Sequence, residues 1–328
     1  MKRCYVILLL VVVPWITAHP REEEPLRLVQ TISLPMVRGR IDHMAVDLKG
    51  ERVFVAALGN NSVEVLHMRT RQPIGSIGGL NEPQGVIYIS EFNKIFVANG
   101  GDGTCKMLEG DTLRLITSLH LSSDADNIRY DPTAKHLFVG YGEGGIAVVD
   151  ARNGKRLGDI PLEGHPESFQ LEKSGPRIFV NVPKASHIAV IDRVKRAVVA
   201  TWPLQSARSN FPMALDETHQ RLFIGCRQPA TVVVCDTRSG RAVVSLTISG
   251  DTDDLFYDET HKRIYVSCGE GYIDIFGQLD PDHYRAVAKV PTAAGARTSL
   301  FAPTLDRFYL AVPRRGNQAG EIRVYAVQ

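Results

Sequence analysis

Twelve residues ahead of each of seven regularly spaced aromatics lies a dipeptide, and six of the seven carry hydrogen-bonding or ionisable side chains. In chain order they are Asp42-His43, Gln84-Gly85, Asp126-Asn127, Glu167-Ser168, Phe211-Pro212, Asp253-Asp254 and Arg297-Thr298, the Phe-Pro pair being the exception. From these we take Asp42, His43, Gln84, Asn127, Glu167, Asp254 and Arg297 as candidate binding residues. Polar groups converging on a concave mouth are the usual construction of a ligand site, although a water-filled channel also needs polar walls. The oxygen and nitrogen donors of Asp42, His43, Asn127, Glu167 and Asp254 would also suit a hard or borderline divalent cation. An ion held there would make metal-assisted hydrolysis or elimination, by a lactonase or a lyase, the enzymatic alternative to binding.

Residues so far apart can converge only if the chain between them repeats a structural unit. The aromatics are Phe54, Phe96, Phe138, Phe179, Phe223, Tyr265 and Tyr309, at spacings of 42, 42, 41, 44, 42 and 44 residues. Each sits in one pattern, as in Arg52-Val-Phe-Val-Ala, Lys94-Ile-Phe-Val-Ala and Arg263-Ile-Tyr-Val-Ser. Every repeat resolves into four short apolar, β-branched segments separated by turn residues, with no 3.6-residue period long enough for a helix. In the fifth these are Met213-Ala-Leu, Leu222-Phe-Ile-Gly, Thr231-Val-Val-Val-Cys and Ala242-Val-Val-Ser-Leu. The second segment is apolar throughout, as a strand buried on both faces must be. Four-stranded repeats of this length predict an all-β, seven-bladed β-propeller with four antiparallel strands per blade. The last repeat has only three segments, around 298–302, 307–312 and 321–327. The segment Leu26-Arg-Leu-Val-Gln-Thr-Ile-Ser-Leu resembles the missing fourth, so the N-terminal strand is expected to complete blade 7 and close the ring.

Asp in a turn, Lys/Arg-aliphatic-aromatic-Val, a Gly/Asn-rich loop and a motif such as Ile146-Ala-Val-Val-Asp-Ala-Arg-Asn-Gly-Lys resemble the YVTN (YncE-like) β-propeller repeats over essentially all of 27–328. That resemblance implies a secreted or periplasmic propeller that binds a ligand or partner more often than it catalyses.

Composition sets further bounds. The 328 residues carry 38 basic and 36 acidic side chains. Residues 1–18 combine Lys2 and Arg3 with an apolar run and the small pair Thr17-Ala18, the layout of a secretory signal peptide. Cleavage after Ala18 is expected, leaving 19–328 as one propeller domain with 36 charges of each sign. A neutral mature chain has no electrostatic attraction for nucleic acid, and no membrane partner is expected after cleavage. The expected product is a secreted or periplasmic monomer, offering its rim to a small ligand or a protein, with docking to a periplasmic redox partner as a further alternative. Covalent c-type haem requires Cys-x-x-Cys-His, which is absent. A tryptophan-derived quinone requires two mature Trp side chains, and Trp202 alone would remain. Cys105, Cys226, Cys235 and Cys268 read as buried free thiols. His219 and His261 occupy matching turns on the face opposite the rim.

Overall fold

The computed structural model describes Met1 and residues 24–328. The leader reading over 2–18 and cleavage after Ala18 fall outside the described residues. The described chain builds seven four-stranded antiparallel sheets, each meandering in sequence order except the last. Blade 1 spans 44–77, blade 2 83–120, blade 3 128–161, blade 4 169–203, blade 5 208–247 and blade 6 252–291. Blade 7 combines Ser299–Ala302, Arg307–Val312 and Gly320–Val327 with the N-terminal strand Leu26–Leu34. Among the described residues no helix is long and apolar enough to cross a membrane.

The repeat aromatics explain why the blades pack side by side. Each lies at the centre of its blade's second strand and is buried against the next blade. Phe54 of blade 1 packs with Ile95 and Val97 of blade 2, and Phe223 of blade 5 packs with Ile264 and Val266 of blade 6. Seven such apolar clusters occupy the seven blade junctions. Burying one aromatic of this size contributes about 1.5–3 kcal/mol, so the periodic aromatic is the main fastening between neighbours.

The expected closure is present. Leu26–Leu34 pairs antiparallel with Gly320–Val327, with Ile32 opposite Ile322. Ile32 and Leu34 then join Tyr309 and Ala311 of blade 7 and Val53 and Val55 of blade 1 in one cluster. The first and last strands therefore cover each other's open edge.

The Asp that ends the first strand of several blades caps the following turn. Asp47 accepts the Gly50 N–H at 2.9 Å and pairs with Arg52, the basic residue that begins the second strand. Asp216 and Asp258 do the same for the turns carrying His219 and His261, accepting from each ring at 2.8 and 2.7 Å. Asp150, Asp192 and Asp236 serve the turns between third and fourth strands through backbone N–H groups two and three residues on. These devices all lie on the face away from the rim, and they are structural.

Candidate functional site

A β-bulge at the entrance of the innermost strands brings consecutive side chains to the channel mouth. In blade 1 the Asp42 N–H bonds the Ala56 carbonyl at 2.7 Å, while the Ala56 N–H bonds the His43 carbonyl at 3.0 Å. Two residues thus oppose one. Blade 3 repeats this with Asp126 and Asn127 against Gly140, and blade 4 with Glu167 and Ser168 against Asn181. The partner residue is always the second after the repeat aromatic, which is why a fixed offset from that aromatic finds the site. Blades 2, 5 and 6 carry their irregularities at the same place, between Pro83 and Val86, Asn210 and Met213, and Thr252 and Asp254. An ordinary strand sends successive side chains to opposite faces; a bulge re-aims them, so that neighbours in sequence share one cavity.

That cavity holds about 20 Å³, and Asp42, His43, Asp126, Asn127, Glu167, Ser168, Phe211 and Asp253 meet around it with Arg40. It is room for one water-sized group. Four of the seven sequence candidates therefore line one space: Asp42, His43, Asn127 and Glu167. Asp254 stands just behind it, with Oδ1 3.6 Å from His43 Nδ1 and Oδ2 accepting the Ser299 N–H at 2.6 Å. Gln84 and Arg297 stand outside. Gln84 donates to Asp124 at 2.8 Å, and Arg297 pairs with Asp251 and Asp253 at 2.8 and 2.9 Å.

His43 is the central cation. Its Nε2 lies 3.7 Å from Asp42 Oδ1 and 4.0 Å from Asp126 Oδ1, while Asp254 faces Nδ1. Burial alone would lower its pKa, but the charges of Asp254, Asp42 and Asp126 and a hydrogen bond with Asp254 outweigh it and hold it up at about 10. The outer wall is paired as well: Arg40 with Asp42, and Arg227 with Asp253 at 2.6 Å while its guanidinium stacks 3.7 Å from the Phe211 ring centroid. Burial and the Asp42 charge raise the Asp253 carboxyl against the pull of Arg297, Arg227 and Arg40. Deeper in the channel, the Arg129 guanidinium donates to the Ile128 carbonyl at 2.9 Å and reaches Ser168 Oγ at 3.5 Å.

The wall formed by blades 3 and 4 is different. Asp126 Oδ1 and Asn127 Oδ1 are buried without a hydrogen-bond partner, and the two residues are only 6% and 3% exposed. Glu167, among the described residues, makes no side-chain hydrogen bond or ion pair. Burial, together with the Glu167 charge, pushes the Asp126 carboxyl up; burial, together with the Asp253 charge, does the same to Glu167. Cations hold the rest of the mouth in balance and leave this wall short of donors.

The five candidate metal ligands meet, but not as a cradle for an ion. Among the described residues no three His, Cys, Asp or Glu side chains are grouped to hold a metal. The donor set expected from the sequence thus does not fit a divalent cation in this arrangement.

Arg40, Asp126, Ser168, Phe211 and Asp253 are cavity residues that the candidate set omitted, although four of them belong to the dipeptides of the repeat. The available signal was the dipeptide itself: two adjacent polar residues entering a strand break its alternation and mark a bulge. Arg40, two residues ahead of its dipeptide, gave no such signal. A wider cleft of about 760 Å³ lies on the rim at blades 4 and 5, lined in part by Leu204, Arg208 and Gln228, and none of its lining residues has a buried polar atom left unpaired. Cys105, Cys226, Cys235 and Cys268 are buried free thiols, as expected.

No protein-family model matches the chain, and no curated protein is similar to it at a significant level. Solved structures do match. A chain of the Kuenenia stuttgartiensis Hydrazine Synthase is similar with 16% identity and a TM-score of 0.76, over 89% of this chain and 98% of that one. A chain of a Mitotic Checkpoint Complex is similar with 12% identity and a TM-score of 0.78, over 99% of both. At such identities the likeness is one of fold: a seven-bladed β-propeller.

Proposed function

We propose that this propeller is an exported binding module whose channel mouth receives a small polar group from a ligand or partner protein. The observation that carries this reading is the blade 3–blade 4 wall, where Asp126 Oδ1 and Asn127 Oδ1 are buried with no hydrogen-bond partner among the described residues, beside a cavity that Glu167 also lines. A buried acceptor without a donor costs about 1–3 kcal/mol, and a site keeps such groups open when a ligand supplies the donor. Binding is favoured over metal-assisted hydrolysis because, among the described residues, no three His, Cys, Asp or Glu side chains are grouped to hold an ion. Export rests on the layout of residues 1–18 and on the YVTN-like repeat pattern.

A thermal-shift screen run in parallel on the wild type and on Asn127→Ala tests the reading. A mouth ligand at about a hundredfold excess over its Kd is expected to raise the wild-type midpoint by about 4 °C. The same ligand should raise the Asn127→Ala midpoint by about 1 °C less, as a Kd weakened about fivefold requires. A screen in which every stabilising ligand acts equally on both proteins overturns the proposal.

A further inference from the structure

The chemistry of the unsatisfied wall narrows what the mouth can receive. Resting on the binding reading above, we infer that the group is a primary ammonium, the head of a small alkylamine or of a lysine side chain. Three acceptor-bearing side chains line one cavity: Asp126 and Asn127, whose Oδ1 atoms are buried without a partner, and the half-buried Glu167, whose carboxylate has no side-chain bond among the described residues. An ammonium has three donors and no acceptor, so it matches such a set without leaving an orphan of its own.

Charge points the same way. The cavity is lined by four carboxylates (Asp42, Asp126, Glu167, Asp253) and two cationic side chains (Arg40, His43). The surrounding cations pair with two of these carboxylates, Arg40 and His43 with Asp42 and Arg227 and Arg297 with Asp253, while His43 also faces Asp254, so the surplus lies on Asp126 and Glu167. Asp126 has the far edge of the imidazole at 4.0 Å and feels the charges of the buried Arg129 and of His165 without a close ion pair to either. A carboxylate or phosphate ligand would add to this surplus. A hydroxyl would leave the surplus unneutralised. A guanidinium carries five donors on a wide planar fork, more than a space of about 20 Å³ admits. A compact ammonium enters as a point charge, with its carbon chain trailing out over Phe211 at the rim.

Isothermal titration of the full mature chain at pH 8 and low salt tests this with n-butylammonium, tetramethylammonium, n-butanol and n-butyrate. Butylammonium is expected to bind; the other three, lacking either the N–H donors or the positive charge, are expected to bind at least tenfold more weakly. Glu167→Gln should weaken butylammonium at least tenfold and Asn127→Ala about fivefold. Asp159→Asn, which changes a carboxylate paired with Arg156 on the outermost strand of blade 3, should leave it unchanged. A capped Ala-Lys-Ala peptide and its acetyl-lysine counterpart separate the sources. Binding of the lysine peptide above butylammonium favours a protein partner, and the reverse order favours a small amine. Circular dichroism on each variant guards against unfolding. Equal binding of butanol, butyrate or tetramethylammonium, or indifference to Glu167→Gln in a folded variant, overturns the ammonium assignment. If butylammonium fails while another class in the thermal screen still depends on Asn127, only this inference falls. If no class depends on Asn127, the binding reading falls with it.

Discussion

Two carboxylates at the mouth should respond unequally to loss of charge. Glu167 has no cation of its own, and its pKa in the fold lies above its unfolded value. A raised carboxyl contributes fully to stability below the unfolded value, and that contribution is lost as pH rises through the folded one. Glu167→Gln removes the penalty of the unpaired anion, so it should stabilise the fold at pH 8 by about 1–3 kcal/mol and change nothing near pH 4. Asp254 instead faces the His43 imidazolium and accepts the Ser299 N–H. Burial raises the Asp254 carboxyl too, held back by the His43 charge and the Ser299 N–H. Asp254→Asn therefore relieves a smaller penalty while it leaves the imidazolium short of a counter-charge, and it should stabilise the fold at pH 8 by less than Glu167→Gln does. Denaturant unfolding of both variants at the two pH values checks the pair. Equal effects would mean that the two carboxylates share one environment. A residue that destabilises the fold it belongs to is where binding and stability compete.

At the scale of the strand, the closing segment Leu26–Leu34 carries the ring's least local contact. Ile32 is 1% exposed within the cluster joining blade 7 to blade 1, whereas Leu28 on the same strand is 49% exposed. Ile32→Ala should destabilise the ring by about 2–5 kcal/mol. Leu28→Ala should change it by no more than about 0.5 kcal/mol. Thermal melts of the two variants check the contrast, and equal losses would argue against closure by this strand. Much of this level was legible in the sequence. The period of the aromatics set the blade count, the three-segment last repeat set the closure, and the polar dipeptides marked the mouth. What the sequence could not assign was the sharing of charge among those dipeptides. Asp126 and Asn127, or Asp253 and Asp254, look interchangeable as letters. A bulge decides that Asp253 reaches the cavity while Asp254 turns behind it to His43, and that Gln84 is drawn outward to Asp124. Those choices depend on contacts between residues 40 or more positions apart, which local pattern does not encode.

For the whole molecule, the ring separates a structural face from a chemical one. On one face, His219, His261 and His283 each bond an aspartate of their own turn, repeating a cap. On the other, His43 is held by aspartates from its own loop, blade 3 and blade 6. The propeller is what turns segments spread over more than 200 residues into neighbours, and the binding proposal rests on the mouth because there the unpaired Asp126 and Asn127 oxygens lie beside a cavity shared by several blades. The most direct test follows the imidazole resonances of labelled histidines during titration with a mouth ligand. The account predicts that the His43 resonances shift on binding while those of His219, His261 and His283 stay in place. Shifts confined to the opposite-face histidines, with His43 unmoved at saturation, would contradict it.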